Sequence, residues 1–329
     1  MPTLEQPPAQ TIPPGAANGA EDSLRHLAFR ALGTECSVRY VAPSVEAAQR
    51  YEQAARQWVE NFEARYSRFR PTSLVSCINT FAGISSVETD AEMEQMLDIC
   101  AALHRMTDGM LDATAGPLIR LWDYHRPAAV LPGAARVAEV RELVGWSKVQ
   151  RTPGRVFLPR AGMALDFGGW GKEWAVDAVA QLAASFGISR VLVDFGHDIR
   201  GIGTPPGRPA WHVGLEDPAQ PGTHRGSVAL LAGKGIASSG DYLRGFTRDG
   251  RRYGHIIDPR SGEPVTHDCR QVTVVADSCL QAGILSTTAF VLGPVAGLDF
   301  IQRFPGAEGL IVTSQARVQT RGFWNYVAT

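Results

Sequence analysis

Five short segments of the 329-residue chain place Gly, Asp, His, Lys or Thr where packing alone would not ask for them. A folded chain concentrates its chemistry in such segments, because hydroxyl, imidazole, carboxylate and amine groups are costly to bury without a use. The segments are Gly33-Thr34, 107–122, 166–177, 238–242 with 255–264, and 285–293.

The segment Asp166-Phe-Gly-Gly-Trp-Gly-Lys172 directly precedes a predicted helix and could receive a phosphate. The amide groups at a helix start are unpaired, and the helix dipole is positive there, so both attract an anion. Lys172 would add a point charge. The spacing matches neither a G-x-G-x-x-G fingerprint nor a Walker A loop, and a plain helix-entry loop remains the alternative.

His255 is followed by Asp258, Pro259 and Gly262, which combines an imidazole with a carboxylate and a rigid turn. A histidine in this setting could take a proton from a hydroxyl group. A structural role is equally compatible with the pattern, since an aspartate before a proline commonly starts a turn in which the histidine can hydrogen bond.

Ser286, Thr287 and Thr288 lie within a strongly apolar predicted helix. A buried hydroxyl there either bonds back to a carbonyl of the preceding turn or serves a ligand. Gly283 in the same helix is also unusual, because an interior glycine costs about 1 kcal/mol relative to alanine.

The elements that must position these residues can be predicted from periodicity and caps. Apolar residues recur at helical spacing in four stretches, and period-two or β-branched runs indicate strands between them. The predicted helices are 44–69, 91–106, 173–186 and 278–292, and the predicted strands lie near 36–40, 191–193, 227–231, 235–238, 271–276 and 310–313. The proline- and glycine-spaced text from Pro127 to Pro159 is the candidate junction between two lobes.

Composition excludes several classes of protein. A net charge of −1 and a pI near 6.7 give no general field for nucleic acid. Five scattered cysteines predict reduced, packed thiols rather than a disulfide framework or a zinc site. Residues 1–23 are proline-rich without an apolar run, which predicts a disordered tail, no membrane span and a cytoplasmic location, or a periplasmic one only if a leader was trimmed.

Taken in order, the segments resemble the ApbE family of flavin transferases from Leu32 to Gly293. The similarity lies in several collinear motifs rather than in one. They are Gly33-Thr34, Tyr66 to Ser73 and on to Asn79, Thr107-Asp-Gly109 with Asp112 and Thr114, Asp166 to Asp177, Val193 to Ile199, Ser239-Gly-Asp-Tyr242, and His255-Ile-Ile-Asp-Pro259.

The resemblance implies an enzyme that binds FAD with Mg²⁺ and moves FMN to a threonine or serine hydroxyl of a partner protein, releasing AMP. The acceptor would carry a motif of the type Asp-Gly-x-Thr/Ser-Gly. It also implies an α+β fold over residues 24–329: a two-lobed, T-fold-related architecture of mixed or antiparallel sheets flanked by helices, with FAD in the crevice between the lobes.

The resemblance further assigns roles to individual residues. His255 would be the catalytic base, Lys172 would face phosphate, and Asp258 would complete the catalytic set. The backbone carbonyl of Gly171 and the hydroxyl of Thr287 would hold Mg²⁺. The cofactor-binding residues would be Ser73, Asn79, Asp112, Thr114, Gly168, Gly169, Trp170, Lys172, His197, Ser239, Gly240, Asp241 and His255.

Some positions depart from the family pattern. Gly283 stands where the family has a metal-binding aspartate, and no carboxylate occurs between Leu280 and Leu292. Around the expected flavin pocket, four further residues differ in size from the usual family residues: Trp170, Gly171, Glu173 and His197. Three hypotheses therefore stay open: a working transferase, a flavin-binding relative that has lost transfer and serves redox chemistry or flavin carriage, and a catalytically silent scaffold.

Overall fold

The computed structural model describes residues 23–123, 131–230, 233–242 and 244–328. The predicted disordered tail, apart from Ser23, lies outside the described residues. So do residues 124–130, which include the start of the predicted lobe junction, and Leu231 at the end of one predicted strand.

The predicted helices all form, with small differences at their ends. The observed helices are α1 (Val45–Tyr66), α2 (Leu74–Thr80), α3 (Ala91–Met106), α4 (Gly116–Leu121), α5 (Ala134–Arg141), α6 (Gly171–Leu182), α7 (Cys279–Leu292) and α8 (Pro294–Gln302). Ser44 and Ser278 cap α1 and α7 by accepting the amides of Ala47 and Gln281.

Helix α1 ends at Tyr66, earlier than the predicted end at Phe69. Ser67, the C-cap residue, is extended, which stops the helix, and Pro71 follows shortly after. Phe69 was expected on the buried stripe of this helix, and that expectation was wrong: its side chain is 77% exposed.

The strands are mostly short. They are β1 (Arg25–Ala31), β2 (Thr34–Val41), β3 (Val87–Glu88), β4 (Gln150–Thr152), β5 (Arg155–Phe157), β6 (Arg190–Phe195), β7 (Asp198–Ile202), β8 (Trp211–Glu216), β9 (His224–Leu230), β10 (Gly235–Gly240), β11 (Gly245–Arg248), β12 (Arg251–Gly254), β13 (Ile257–Asp258), β14 (Glu263–Pro264), β15 (Cys269–Ala276), β16 (Glu308–Thr313), β17 (Arg317–Gln319) and β18 (Val327–Ala328).

Eight of these strands form the main sheet, in the order β1-β2-β6-β7-β10-β15-β16-β17, and each neighbouring pair described is antiparallel. Smaller antiparallel sheets join β18, β9 and β8, and β3, β5 and β4, while β11–β12 and β13–β14 are two-stranded ribbons. Helices combined with antiparallel sheets confirm the predicted α+β class; the division into two lobes stays a prediction.

Helices α6 and α7 pack against the main sheet and against each other. Asp177 on α6 fixes their relative position, because its two carboxylate oxygens accept the backbone amides of Cys279 and Leu280 at 2.9 and 2.8 Å. Those amides belong to the first turn of α7, where an anion is favoured by the helix dipole. The start of α7 is therefore held against the middle of α6.

Other features also follow the sequence predictions. The five cysteines all lie within the described ranges, and each is a free thiol, four of them buried. Within the described ranges, no helix combines the length and apolar character that crossing a bilayer requires.

Candidate functional site

A cavity of about 800 Å³ is lined by the central strands β7 and β10 of the main sheet, by the start of α6, and by Arg244 and His255, which flank the β11–β12 ribbon. That volume is in the range that holds small molecules and cofactors. Its walls come from distant parts of the chain, including Leu32, Asp112, the loop before α6, the β6–β7 turn, the end of β10, His255 and Thr287 on α7.

The loop before α6 forms one wall. Asp166 ties it down by accepting the amide of Gly168 at 2.8 Å and by pairing with Arg68 at 2.7 Å. Helix α6 has no side-chain cap at Trp170, so the amides of its first turn depend on other partners. Phosphate binding at this wall stays a prediction.

A tight turn between β6 and β7 forms the adjoining wall. Gly196 and His197 both have positive φ, 60° and 71°, as a two-residue hairpin turn of this type requires. A side chain at Gly196 could not fit, since its Cβ would lie 2.3 Å from Oγ1 of Thr34. The close contact gives the Gly33-Thr34 motif its structural role and places His197 against the cavity.

Lys172 points from the first turn of α6 toward the same turn. Its ammonium group pairs with Asp198 and donates to the carbonyl oxygens of Phe195 and Gly196 at 3.1 and 3.3 Å. Burial alone would lower the pKa of Lys172, but the carboxylates of Asp198 and Glu173 outweigh it and raise the pKa. The lysine is thus a fixed positive charge at the cavity wall.

Glu173 follows Lys172 and is buried at the cavity. Burial, and after it the neighbouring carboxylate of Asp198, raises the pKa of its carboxyl group to about 8, although Lys172 acts in the opposite direction. Its Oε2 atom is buried and has no hydrogen-bond partner among the residues that the structure describes. Such an atom is costly to bury, so it calls for an explanation.

Hydroxyl groups from β10 and α7 meet at the cavity floor. Oγ of Ser239 lies 2.8 Å from Oγ of Ser286 and 2.8 Å from Oγ1 of Thr287. Ser286 and Thr288 also donate to carbonyl oxygens of the preceding helical turn, as predicted for back-bonding hydroxyls. Of these three helix hydroxyl residues, Thr287 alone lines the cavity.

His255 also lines the cavity. Its Nδ1 is 3.2 Å from the carbonyl oxygen of Arg244, which can only accept, so the Nδ1 proton is donated and the lone pair of the neutral ring is on Nε2. Burial lowers the pKa of His255 to about 4, and the charges of Arg244 and Arg252 act in the same direction. The ring is therefore neutral at pH 7 and able to accept a proton.

Many of the predicted site residues share this cavity. Those that line it are Asp112, Gly168, Gly169, Trp170, Lys172, His197, Ser239, Gly240, His255 and Thr287. They come from six separate stretches of sequence, and the fold brings them together.

The remaining predicted residues do not line the cavity and make local hydrogen bonds instead. Ser73 caps α2, and Asn79 pairs with the backbone of Leu165 through both atoms of its amide group. The hydroxyl of Thr114 joins Asp112 to the amide of Gly145.

Three further predicted residues also lie outside the lining. Asp241 pairs with Arg252 at 3.0 Å, and Asp258 pairs with Arg260 at 2.9 Å within its turn. Gly171 lies beside Phe62, whose Cζ would be 3.5 Å from a Cβ atom added at position 171. A direct role of these residues in flavin or metal binding stays a prediction.

The acidic residues that line the cavity but were not predicted as site residues include Asp198 and Glu173. Asp198 holds Lys172, and Glu173 contributes the unpartnered oxygen. Asp198 stands inside a quoted motif, two residues after Gly196, so the motif could have identified it. Glu173 was noted only as a departure from the family pattern, and its sequence gives no sign of where its side chain points.

The chain was compared with known proteins. The ApbE family model matches residues 32–311. The FAD:protein FMN transferase of Treponema pallidum is 28% identical over 305 residues, covering 88% of this chain and 84% of the relative. The FAD:protein FMN transferase of Haemophilus influenzae is 28% identical over 308 residues, covering 90% and 89%.

Solved structures are similar as well. The ApbE protein of Thermotoga maritima superposes with a TM-score of 0.84 at 29% identity, covering 93% of this chain and all of that one. The flavinyl transferase ApbE of Pseudomonas stutzeri, in its apo form, gives a TM-score of 0.81 at 28% identity, covering 94% and 98%.

Proposed function

The chain belongs to the ApbE family, and from that premise we propose that it transfers FMN from FAD to a serine or threonine hydroxyl of an acceptor protein, with Mg²⁺ as the metal and AMP as the second product. The observation that carries the proposal is the meeting of His255, Lys172 and Thr287 in one cavity, together with the loop before α6.

The reaction exchanges the phosphoanhydride bond of FAD for a phosphate ester of the acceptor hydroxyl. The acceptor oxygen bonds to the FMN phosphorus, the bond from that phosphorus to the bridging oxygen breaks, and AMP leaves with that oxygen. The hydroxyl proton passes to Nε2 of His255. Such transfers depend chiefly on positioning and on neutralising charge at phosphate.

Lys172 and the loop before α6 would neutralise the negative charge of the phosphates. The lysine charge and the amides at the helix start suit the two phosphates of FAD. His255 suits the role of base because its ring is neutral and its Nδ1 is held by the Arg244 carbonyl, which orients Nε2.

The cavity also offers donors that suit Mg²⁺. The cation prefers oxygen, and the wall provides the hydroxyl of Thr287 and the carboxylate of Glu173, whose Oε2 lacks a partner among the described residues. Those residues include no group of three or more His, Cys, Asp or Glu side chains that could hold a metal, so water and substrate phosphates would complete the shell. When bound, Mg²⁺ would neutralise pyrophosphate charge.

Incubation with FAD, Mg²⁺ and a peptide carrying an Asp-Gly-x-Thr-Gly motif tests the proposal. Mass spectrometry should find FMN attached to the peptide and AMP released in equal amount, and a peptide with alanine in place of the threonine should stay unmodified. Absence of both products would reject the transferase.

The alternative is a flavoprotein that keeps FAD for redox chemistry or carriage. It would give a different result with the same purified protein. Denaturation of the purified protein would release intact FAD, its absorbance would bleach with a reductant and recover in air, and the peptide would remain unmodified. A scaffold without chemistry would neither hold FAD nor modify the peptide.

A further inference from the structure

Gly283 on α7 faces Glu173 on α6 at very short range. A Cβ atom at position 283 would lie 2.6 Å from Cγ of Glu173, 2.9 Å from Oε1 and 3.0 Å from Cδ. Real Cβ atoms do not approach other atoms so closely. The glutamate side chain thus fills the space that a side chain at position 283 would need. This contact explains why a glycine occupies this interior position of the helix.

The contact follows from how the two helices are held. Asp177 on α6 accepts hydrogen bonds from the amides of Cys279 and Leu280 at the start of α7. Glu173 lies one helical turn before Asp177 on α6, and Gly283 lies one turn after Cys279 on α7. One further turn along α7 is Thr287, on the same face as Gly283. Glu173 and Thr287, on facing helices, therefore both line the same cavity.

Lys172 does not partner Glu173 at this wall. Lys172 has three N–H donors, and they are taken by Asp198 and by the carbonyl oxygens of Phe195 and Gly196. The buried Oε2 of Glu173 has no hydrogen-bond partner among the residues that the structure describes. A buried carboxylate is normally paired or bound to a metal.

We infer that Glu173 supplies the carboxylate ligand of the divalent cation in this cavity, in the space that a side chain at position 283 would otherwise fill. The inference rests on the proposed function, and it moves the acidic ligand from α7 to the first turn of α6. Glu173 and an acidic residue at position 283 would exclude each other sterically, so one carboxylate can be exchanged for the other.

Mn²⁺, observed by the loss of its free six-line electron paramagnetic resonance signal, is a direct probe of this site, without FAD and with FAD. The wild-type chain should bind one Mn²⁺. The isosteric substitution Glu173→Gln should weaken its Kd at least tenfold. The double variant Glu173→Ala with Gly283→Asp should recover the wild-type Kd within about threefold, because alanine removes the colliding atoms and aspartate restores a carboxylate.

Glu60→Gln, which removes an exposed carboxylate on α1, is the matched control and should leave the Kd unchanged. Circular dichroism establishes that each variant is folded. Three results would overturn the inference: no Mn²⁺ bound by the wild type in either condition, an unchanged Kd for Glu173→Gln, or no recovery by a folded double variant.

The assay separates this inference from the proposed function. A chain that loses Mn²⁺ with Glu173→Gln, yet moves no FMN to the acceptor peptide, would keep the metal assignment and reject the transferase. A chain that transfers FMN, yet binds Mn²⁺ equally well without Glu173, would do the reverse.

Discussion

His255 owes its proposed role to its surroundings more than to its residue type. An exposed histidine titrates near pH 6.5 and is partly charged at neutral pH. Burial and the nearby charges of Arg244 and Arg252 instead keep this ring neutral, and the Arg244 carbonyl fixes its tautomer. A base must be unprotonated before it can act, so these contacts prepare the residue for proton transfer.

The pH dependence of transfer should report this environment. Activity requires neutral His255, so kcat/KM should fall as pH falls through the pKa of about 4, and not through 6.5. His255→Ala should lower kcat by roughly 10²- to 10⁴-fold, the usual contribution of a general base. Rates of FMN transfer measured from pH 3.5 to 8 provide the test.

Arg244→Gln offers a comparison, because loss of its positive charge should move the acidic limb to higher pH. An acidic limb at 6.5 in the wild type would contradict the assigned environment of His255.

At the scale of elements, the site depends on the pairing of α6 with α7. Asp177 sets the register of the two helices, and the register puts Glu173 beside Gly283. The tight turn between β6 and β7 adds a second constraint, since Thr34 occupies the space beside Gly196. These contacts join elements that are remote in sequence, so the wall of the cavity is rigid only when the whole sheet has formed.

Gly283→Ala tests that packing. Forcing a methyl group into filled space costs about 1–3 kcal/mol, whereas alanine in a helix gains about 1 kcal/mol over glycine. We therefore expect Gly283→Ala to lower the free energy of unfolding by up to about 2 kcal/mol in the wild-type background. Urea unfolding followed by circular dichroism measures the change.

The same substitution made in a Glu173→Ala chain is the control. There the methyl group meets no Cγ, so it should raise stability by about 1 kcal/mol through helix propensity alone. Equal effects in the two backgrounds would mean that Glu173 does not occupy the space beside Gly283.

At the scale of the whole molecule, the cavity joins parts of the chain from Leu32 to Thr287. A ligand in it would contact the sheet, α6, α7 and the loops around the β11–β12 ribbon together. Binding to the folded state alone must raise the stability of all the elements that form the cavity, because unfolding any of them removes the site.

FAD should therefore raise the melting temperature of the chain. At a concentration of 100 times its Kd, a ligand specific for the folded state adds about 2.7 kcal/mol, which corresponds to roughly 4 °C for a chain of this size. Differential scanning fluorimetry measures the shift.

Riboflavin at the same concentration should give a smaller shift, since it lacks the phosphates for which Lys172 and the loop before α6 are suited. Equal shifts for the two compounds would contradict a phosphate-binding wall.

The family, the fold class, four of the helices and six of the strands could be predicted from the sequence alone. Caps at Ser44 and Ser278 and apolar periodicity are local signals, so the starts of α1 and α7 could be predicted from neighbouring residues alone. Ten residues that the collinear motifs identified line the cavity. They could be identified because motif residues keep their order along the chain.

The contacts that these residues make depend on the tertiary structure. Phe69 fits the apolar stripe of α1 but lies beyond the end of that helix. Ser73 and Asn79 occupy motif positions, but their side chains hydrogen bond to the backbone of Ser76 and Leu165. The space at Gly283 is filled by Glu173 from another helix. A steric contact between distant residues depends on the register of two helices, and that register is set by packing and capping contacts that no local pattern encodes.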